Sequence, residues 1–296
     1  MMKLSLSDRL LEWFCYLILA MLSVITVYTF WNSFVISFNS GLDTATGGLT
    51  VWPRAFTLDN YKAVFQDPAF FRAMGISVAR AVAGTTLSIF FTAMFGYGMS
   101  RRELPNRKFY MILSLVTMYF GGGLIPTYLL IRDLHMLNTF WVLIVPGMVS
   151  VYNMIIFRTF FMELPAGLEE SAKLDGCSTF GIFFRIVIPV SGPVIATLSL
   201  FTAVGLWNDW FNAGIYMSNV NKLPVQNYLL NVLNSSNYAS QMAQMTGISS
   251  GLQQTTVTGR SLQMATLMVS TLPIVLVYPF IQKYFVKGVL VGSLKG

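Results

Sequence analysis

No charged residue occurs between Glu12 and Asp43, between Arg80 and Arg101, between Lys108 and Arg132, between Arg185 and Asp209, or between Arg260 and Lys283. Runs this long and this apolar cannot be divided between a water-facing surface and a buried core. With 55% hydrophobic and only 10% charged residues, the chain is built for lipid as its solvent. A helix advances about 1.5 Å per residue, so about 20 apolar residues cross a hydrocarbon core about 30 Å thick. Six windows meet that length: 13–38, 73–99, 109–131, 139–162, 188–217 and 262–286. They lack the short alternating segments of barrel strands, so the expected fold is all-α, a polytopic transmembrane helical bundle of six spans.

Lys3 and Arg9 precede the first apolar run, as in a cleavable signal. The run is too long, has no small-x-small cleavage site and ends in the polar "WNSF", so it is expected to stay as the first span. Orientation follows from the loop cations. Placing both termini in the cytoplasm puts Lys3, Arg9, Arg101, Arg102, Arg107, Lys108, Arg158, Lys173, Arg185, Lys283, Lys287 and Lys295 inside. Only Arg54, Lys62, Arg72, Arg132, Lys222 and Arg260 then fall outside, and this bias supports both ends inside. The net charge of +7 is thus a matter of topology and anionic lipid, since no basic patch interleaved with stacking aromatics marks a nucleic-acid partner.

The outward loops then cover residues 39–72 and 218–261. In the first, Leu58, Tyr61 and Phe65 follow the candidate cap Thr57 at helical spacing and predict a short amphipathic helix. The second is rich in Asn, Gln and Ser, which suits either a solvated loop or a lip that meets a polar ligand or partner. "GGG" at 121–123 with Pro126 predicts a break in the third span, by flexing or by close packing, of which packing is the commoner cause. His135 stands alone, and no Cys, His or carboxylate cluster has ligand spacing, so no metal site is expected. Cys15 and Cys177 offer no disulfide framework. Arg80, inside the second span, is expected to snorkel outward or to meet a polar neighbour.

Residues 163–189 are different in kind. Pro165 suits a first helical turn, Leu164, Leu168 and Ala172 share a stripe, and Glu169 with Lys173 forms an i,i+4 pair on the other face. Gly176 can take the left-handed conformation that stops a helix, and Ser178 can cap a second one running through Phe180, Phe183, Phe184 and Val187. A helical hairpin results, lying on the cytoplasmic side between spans four and five.

Glu170, Ser171 and Ala172, then Gly176, then Ile186, Ile188 and Pro189 reproduce the spacing E-A-A, three residues, G, nine residues, I-x-L-P. This resembles the cytoplasmic "EAA" loop of ABC importer permeases, departing only in Ser171 for Ala and Ile188 for Leu. The segments "FGGGLIPTYLLIRDLHMLNTFWVLIVPG" and "PVSGPVIATLSLFTAVGLWNDWFNAGIY", with the C-terminal "MATLMVSTLPIVLVYPFIQKYFVKGVLVGSLKG", resemble the LplC-like, maltose-permease-like branch that imports oligosaccharides and polysaccharide fragments, including alginate- and pectin-derived ones. The likeness covers nearly the whole chain. It implies a single permease domain over 1–296, an importer core over about 73–286, and a coupling loop over 163–189. It also implies that Glu169, Glu170, Ser171, Ala172, Asp175 and Gly176 seat the hairpin in an ATP-hydrolysing subunit. The remaining implied partners are a second permease subunit, two ATP-binding subunits and an extracytoplasmic solute-binding protein. No G-x-x-x-x-G-K-[ST] phosphate loop occurs in the sequence, so ATP and Mg are expected on the partner, with no cofactor and no catalytic residues here. The tail beyond residue 287 would serve as a cytoplasmic anchor or touch the ATPase.

"LWNDWFNAGIY" at 206–216 is the candidate sugar contact. Trp207 and Trp210 supply flat faces on which sugar rings stack, and Asn208 and Asn212 supply hydrogen-bonding groups on one helical stripe, with Asp209 turned elsewhere, toward a partner helix. An aromatic belt at the membrane interface is the plain alternative. The alternative function is a secondary transporter of a polar solute, which would need ionisable groups near mid-membrane; Arg80 and Asp209 are the candidates.

Overall fold

A computed structural model describes residues 6–48, 51–246 and 257–293. Lys3, Lys295, the end of the tail and residues 247–256 of the second outer loop lie outside them. Among the described residues every regular element is helical, and extended pairing is confined to an isolated antiparallel bridge between Asn39 and Phe56. The α-helices are α1 Leu6–Ser37, α2 Gly41–Ala45, α3 Asp59–Gln66, α4 Pro68–Ser100, α5 Arg107–Tyr119, α6 Leu124–Asp133, α7 Val151–Glu163 and α8 Ala166–Leu174. Then come α9 Thr179–Val190, α10 Gly192–Asn208, α11 Phe211–Tyr216, α12 Val225–Thr246 and α13 Gly259–Ser293. Short 3₁₀ turns at Phe140–Leu143 and Val145–Gly147 precede α7.

Three helices, Arg9–Ser37 within α1, α4 and Gly259–Val277 within α13, are long and apolar enough to cross a membrane by themselves. The third and fourth expected spans match bent pairs, while the fifth, expected over 188–217, overlaps a pair that starts at Thr179 and ends at Asn208. α5 and α6 meet at 109°, Phe140–Gly147 and α7 at 51°, and α9 and α10 at 81°, so the number rises to six if each pair is one span. The first bend falls at the predicted "GGG", but close packing is not its cause. A Cβ on Gly121 or Gly123 would meet nothing within 4 Å, while Gly123 has φ +84°, a conformation that favours glycine.

The described residues form two compact units. One takes in residues up to Phe70 and from Leu229 to Thr271. In it α1 carries large exposed apolar side chains on every side, including Trp13, Leu17, Leu22 and Val27, as a helix solvated by lipid does. Its far end meets the segment that follows it through stacked Phe38 and Phe56, with ring centroids 5.6 Å apart. Asn60, fully buried, donates to the carbonyls of Ser37 (3.0 Å) and Asn39 (2.9 Å) and accepts from the Ser261 hydroxyl (2.8 Å). The predicted helix in this loop exists as α3, and the Thr57 hydroxyl does accept an amide hydrogen bond, from Asp59 at 3.1 Å. Its buried face is Asn60 and Val64, whereas Leu58 and Phe65 are exposed. The polar anchor at Asn60, which apolar periodicity cannot register, sets the helix's rotation.

The second unit spans Phe71 to Tyr228 and continues from Leu272. In it α4 and α7 approach so closely that a Cβ on Gly96 would lie 2.9 Å from the Phe157 Cβ and 3.1 Å from the Met154 carbonyl oxygen. One core cluster joins Tyr97, Phe157, Phe161, Ala172, Ile182, Phe183 and Val187; another joins Ile131, Val142, Leu143, Ala213, Tyr216 and Met217. Asn138, at φ +60°, accepts at its side-chain oxygen from the Ser218 amide (2.7 Å), the Ser218 hydroxyl (3.0 Å) and the Asn219 amide (3.1 Å), fastening two connecting segments together. The segment 218–261, expected as a solvated loop or a lip for a polar ligand or partner, holds α12 across Val225–Thr246. Leu and Val recurring among its Asn and Gln residues give it a helical period that composition hides.

Candidate functional site

The hairpin is built as its residues dictate. Pro165 stands just outside α8 as its N-cap, with ψ 125°, rather than within the first turn. At the other end the Gly176 amide donates to the Lys173 carbonyl (3.0 Å) and the Cys177 amide to the Ala172 carbonyl (2.9 Å), the pair of bonds that closes a Schellman motif. Gly176 has the required left-handed φ of +77°. The Ser178 hydroxyl then accepts from the Gly181 amide at 3.2 Å and starts α9, which relaxes into a π turn over Phe183–Val187. Ile182, Phe183 and Val187 are each 1% exposed, and each such burial contributes about 1.5–3 kcal/mol, enough to hold the hairpin against α4 and α7.

Glu170, Ser171, Lys173, Asp175 and Gly176 face outward, beside Leu174 at 90% exposure and Phe180 at 65%. Two candidates turn the other way. Ala172 is buried in the chain's own core cluster and therefore offers no small-residue stripe to a partner. Glu169, expected on the solvent face with Lys173, forms an ion pair with Arg101, which follows the end of α4. The Arg101 guanidinium lies 4.2 Å from the centroid of the buried Tyr97 ring. Arg101 was legible only as a cytoplasmic cation; its sequence distance from Glu169 left no local signal of the pairing. Next to it, Glu103 has its carboxyl held below the ordinary range by a hydrogen bond from its own backbone amide, with Lys173, Arg101 and Arg102 adding to this against a desolvation cost.

At the other end of the unit, α10 stops at Asn208. Asp209 takes an extended backbone, with ψ 92°, and α11 starts two residues later. Arg80, 1% exposed, organises this break. Its Nε donates to the Leu143 carbonyl (3.2 Å), Nη1 donates to the Asp209 carbonyl (2.7 Å), and Nη2 pairs with the Asp209 carboxylate. The same carboxylate accepts from the Asn212 backbone amide (3.1 Å) and side-chain amide (2.9 Å). Arg80 therefore meets a polar neighbour and does not snorkel, and Asp209 finds its partner within this chain. The Asn208 and Asn212 stripe is lost, because a stripe requires unbroken helix and the two residues lie on either side of the break. Asn212 is turned to Asp209, while Asn208 accepts from Gln226 Nε2 at 3.4 Å. Trp207 is buried, on the wall of a cavity of about 380 Å³ shared with Val78, Thr85, Leu200 and Ile274, and Trp210 is half exposed. That cavity is mostly aliphatic, although the Thr85 hydroxyl is buried without a partner. Arg80 and Asp209 neutralise one another at the helix break. Among the described residues no three His, Cys, Asp or Glu side chains gather into a metal site.

Apolar helices long enough to cross a membrane, an outward-turned helical hairpin and a buried ion pair at a helix break define a polytopic helical membrane protein. Residues 108–291 match the family described as the binding-protein-dependent transport system inner membrane component, and the chain belongs to that family. Protein LplC of Bacillus subtilis (strain 168) is 41% identical over 281 residues, which cover 95% of this chain and 93% of LplC. The polygalacturonan/rhamnogalacturonan transport system permease protein YtcP of the same organism is 40% identical over 292 residues, covering 98% of this chain and all of YtcP. Among solved structures, a bacterial ABC transporter involved in the import of the acidic polysaccharide alginate contains a chain that aligns with a TM-score of 0.85 at 25% identity, over 96% of this chain and 100% of that one. A bacterial alginate ABC transporter in complex with an alginate pentasaccharide-bound periplasmic protein aligns at a TM-score of 0.52 and 12% identity over 93% of this chain and 94% of that one, a likeness of fold.

Proposed function

We propose that this chain is the membrane permease of an ATP-driven importer for oligosaccharide fragments of acidic polysaccharides. The hairpin α8–α9 carries the assignment. The outward side of the hairpin presents Leu174 at 90% and Phe180 at 65% exposure together with the exposed Glu170 and Asp175, a surface suited to a groove with apolar floor and basic rim. An ATP-hydrolysing subunit fills that role, with ATP and Mg on its side. In this scheme the chain is one permease domain of six spans, the fifth formed by α10, with both termini and the hairpin α8–α9 in the cytoplasm. A second permease subunit, two ATP-binding subunits and an extracytoplasmic solute-binding protein complete the importer. The acidic sugar class rests on the named substrates of YtcP and of the alginate transporter. Trp207, Asn208, Trp210 and Asn212 border the outer mouth of its route.

The test is reconstitution of the co-expressed complex in proteoliposomes with its binding protein. Oligogalacturonate or oligoalginate should stimulate ATP hydrolysis and be taken up, and an uncharged oligosaccharide of equal length should do neither. Uptake that continues without ATP would refute the ATP-driven scheme; equal stimulation by the uncharged sugar would refute the acidic class.

A further inference from the structure

We infer that the Arg101–Glu169 pair is a strut that fixes the hairpin to α4, so that displacement of the hairpin by an ATPase is delivered to that helix. The inference rests on the proposed coupling role of the hairpin and adds the residue through which the motion passes. Arg101 directly follows α4, where a cation is favoured by the carbonyl end of the helix, and Glu169 sits in the first turn of α8, where an anion is favoured by the amide end. The pair therefore joins two helix termini head to tail, each charge stabilised by its own helix before the two meet. Both side chains are about four-fifths buried, at 17% and 20% exposure, so the contact is shielded from the screening that weakens surface pairs.

The mounting is rigid on the α4 side. Tyr97, one turn earlier, supports the guanidinium with its ring, and that ring is itself wedged 5.0 Å from Phe183 of the hairpin and 6.0 Å from Phe161 of α7. Arg158 Nε donates to the Met99 carbonyl at 3.2 Å, and Gly96 allows α7 to lie directly on α4. The hairpin side is less firmly held. Leu168 is 43% exposed, and α8 reaches the core chiefly through Ala172, whose single methyl gives little grip. Without the pair, α8 could tilt about Ala172 while α4 stayed still. Arg101 Nε and Nη2 are buried with no partner in this chain, so loss of Glu169 would leave the guanidinium without an acceptor. Glu169 and Arg101 are accordingly positioning residues, acting on the spans and not on the sugar.

The assay is the number of ATP molecules hydrolysed per sugar imported by the whole reconstituted complex. Arg101→Gln and Glu169→Gln should each raise this ratio at least about threefold, the range in which residues between coupled sites act. The exchanged pair, Arg101→Glu with Glu169→Arg, should bring the ratio back toward wild type, because the contact is restored with its polarity reversed. Glu103→Gln, which alters an exposed charge beside the same arginine, should leave the ratio where it was. A wild-type ratio in both single variants, or no recovery in an exchanged pair that assembles, would overturn the inference. If neither single variant retains the ATPase through purification, the pair serves docking rather than transmission, which overturns it too. ATP-independent uptake by the wild-type complex would instead refute the importer scheme.

Discussion

Removing one member of the Arg80–Asp209 pair should cost the second unit several kcal/mol, and unequally depending on which member goes. Breaking a buried ion pair on one side typically costs about 3–5 kcal/mol, most of it the penalty of the charge left behind. In Asp209→Asn the residue left is Arg80, with a side chain 2% exposed and backbone carbonyls in place of a counter-ion, so the loss should fall near the top of that range, about 4–5 kcal/mol. In Arg80→Met the residue left is Asp209, which is 21% exposed and keeps both Asn212 donors, so the loss should be near the bottom, about 3 kcal/mol. At about 2–4 °C per kcal/mol, the full-length chain in one detergent at one scan rate should melt about 6–12 °C lower in Arg80→Met and lower still in Asp209→Asn. The double variant leaves no buried charge and should lose less than the sum of the singles by about 2 kcal/mol. If both single variants melt within about 2 °C of wild type, or if Arg80→Met is the worse of the two, the pair does not hold the helix break as described.

Gly176→Val should strain the Schellman turn by about 1–2 kcal/mol through its positive φ alone, since open space surrounds the site, and sugar-stimulated ATP hydrolysis should fall while the chain still inserts and purifies. Normal stimulation would separate the turn from coupling. Gly96→Ala must push α4 and α7 apart, because the atoms it meets are a Cβ and a backbone oxygen that cannot swing away; a destabilisation of about 1–3 kcal/mol should appear as a lower melting temperature. Asn60→Ala leaves the Ser37 and Asn39 carbonyls without its donor, a loss of about 2–3 kcal/mol, and limited proteolysis should then cut the 38–58 segment faster than in wild type.

Sequence by itself determined the solvent and the local grammar of this protein. Charge-free runs demand lipid, and three of the six windows recur as single helices long enough to cross it. The hairpin was legible to the residue at Gly176 and Ser178, because a left-handed stop and a hydroxyl cap are decided by atoms only a few positions apart. Rotation and pairing were decided elsewhere. Glu169 and Lys173 have ideal i,i+4 spacing, yet Glu169 turns to Arg101, 68 residues away, where a mostly buried guanidinium on an aromatic ring is a stronger partner than a solvated lysine. Counting along a helix put Asn208 and Asn212 on one stripe, but Arg80, 129 residues from Asp209, breaks the helix between them. Local propensities differ by tenths of a kcal/mol to about one, whereas a buried charge left alone costs several, so wherever a charge had to enter the low-dielectric interior the tertiary partner chose the backbone. That partner is fixed only once the helices have packed, which is why no window of sequence around Asp209 or Glu169 contains it.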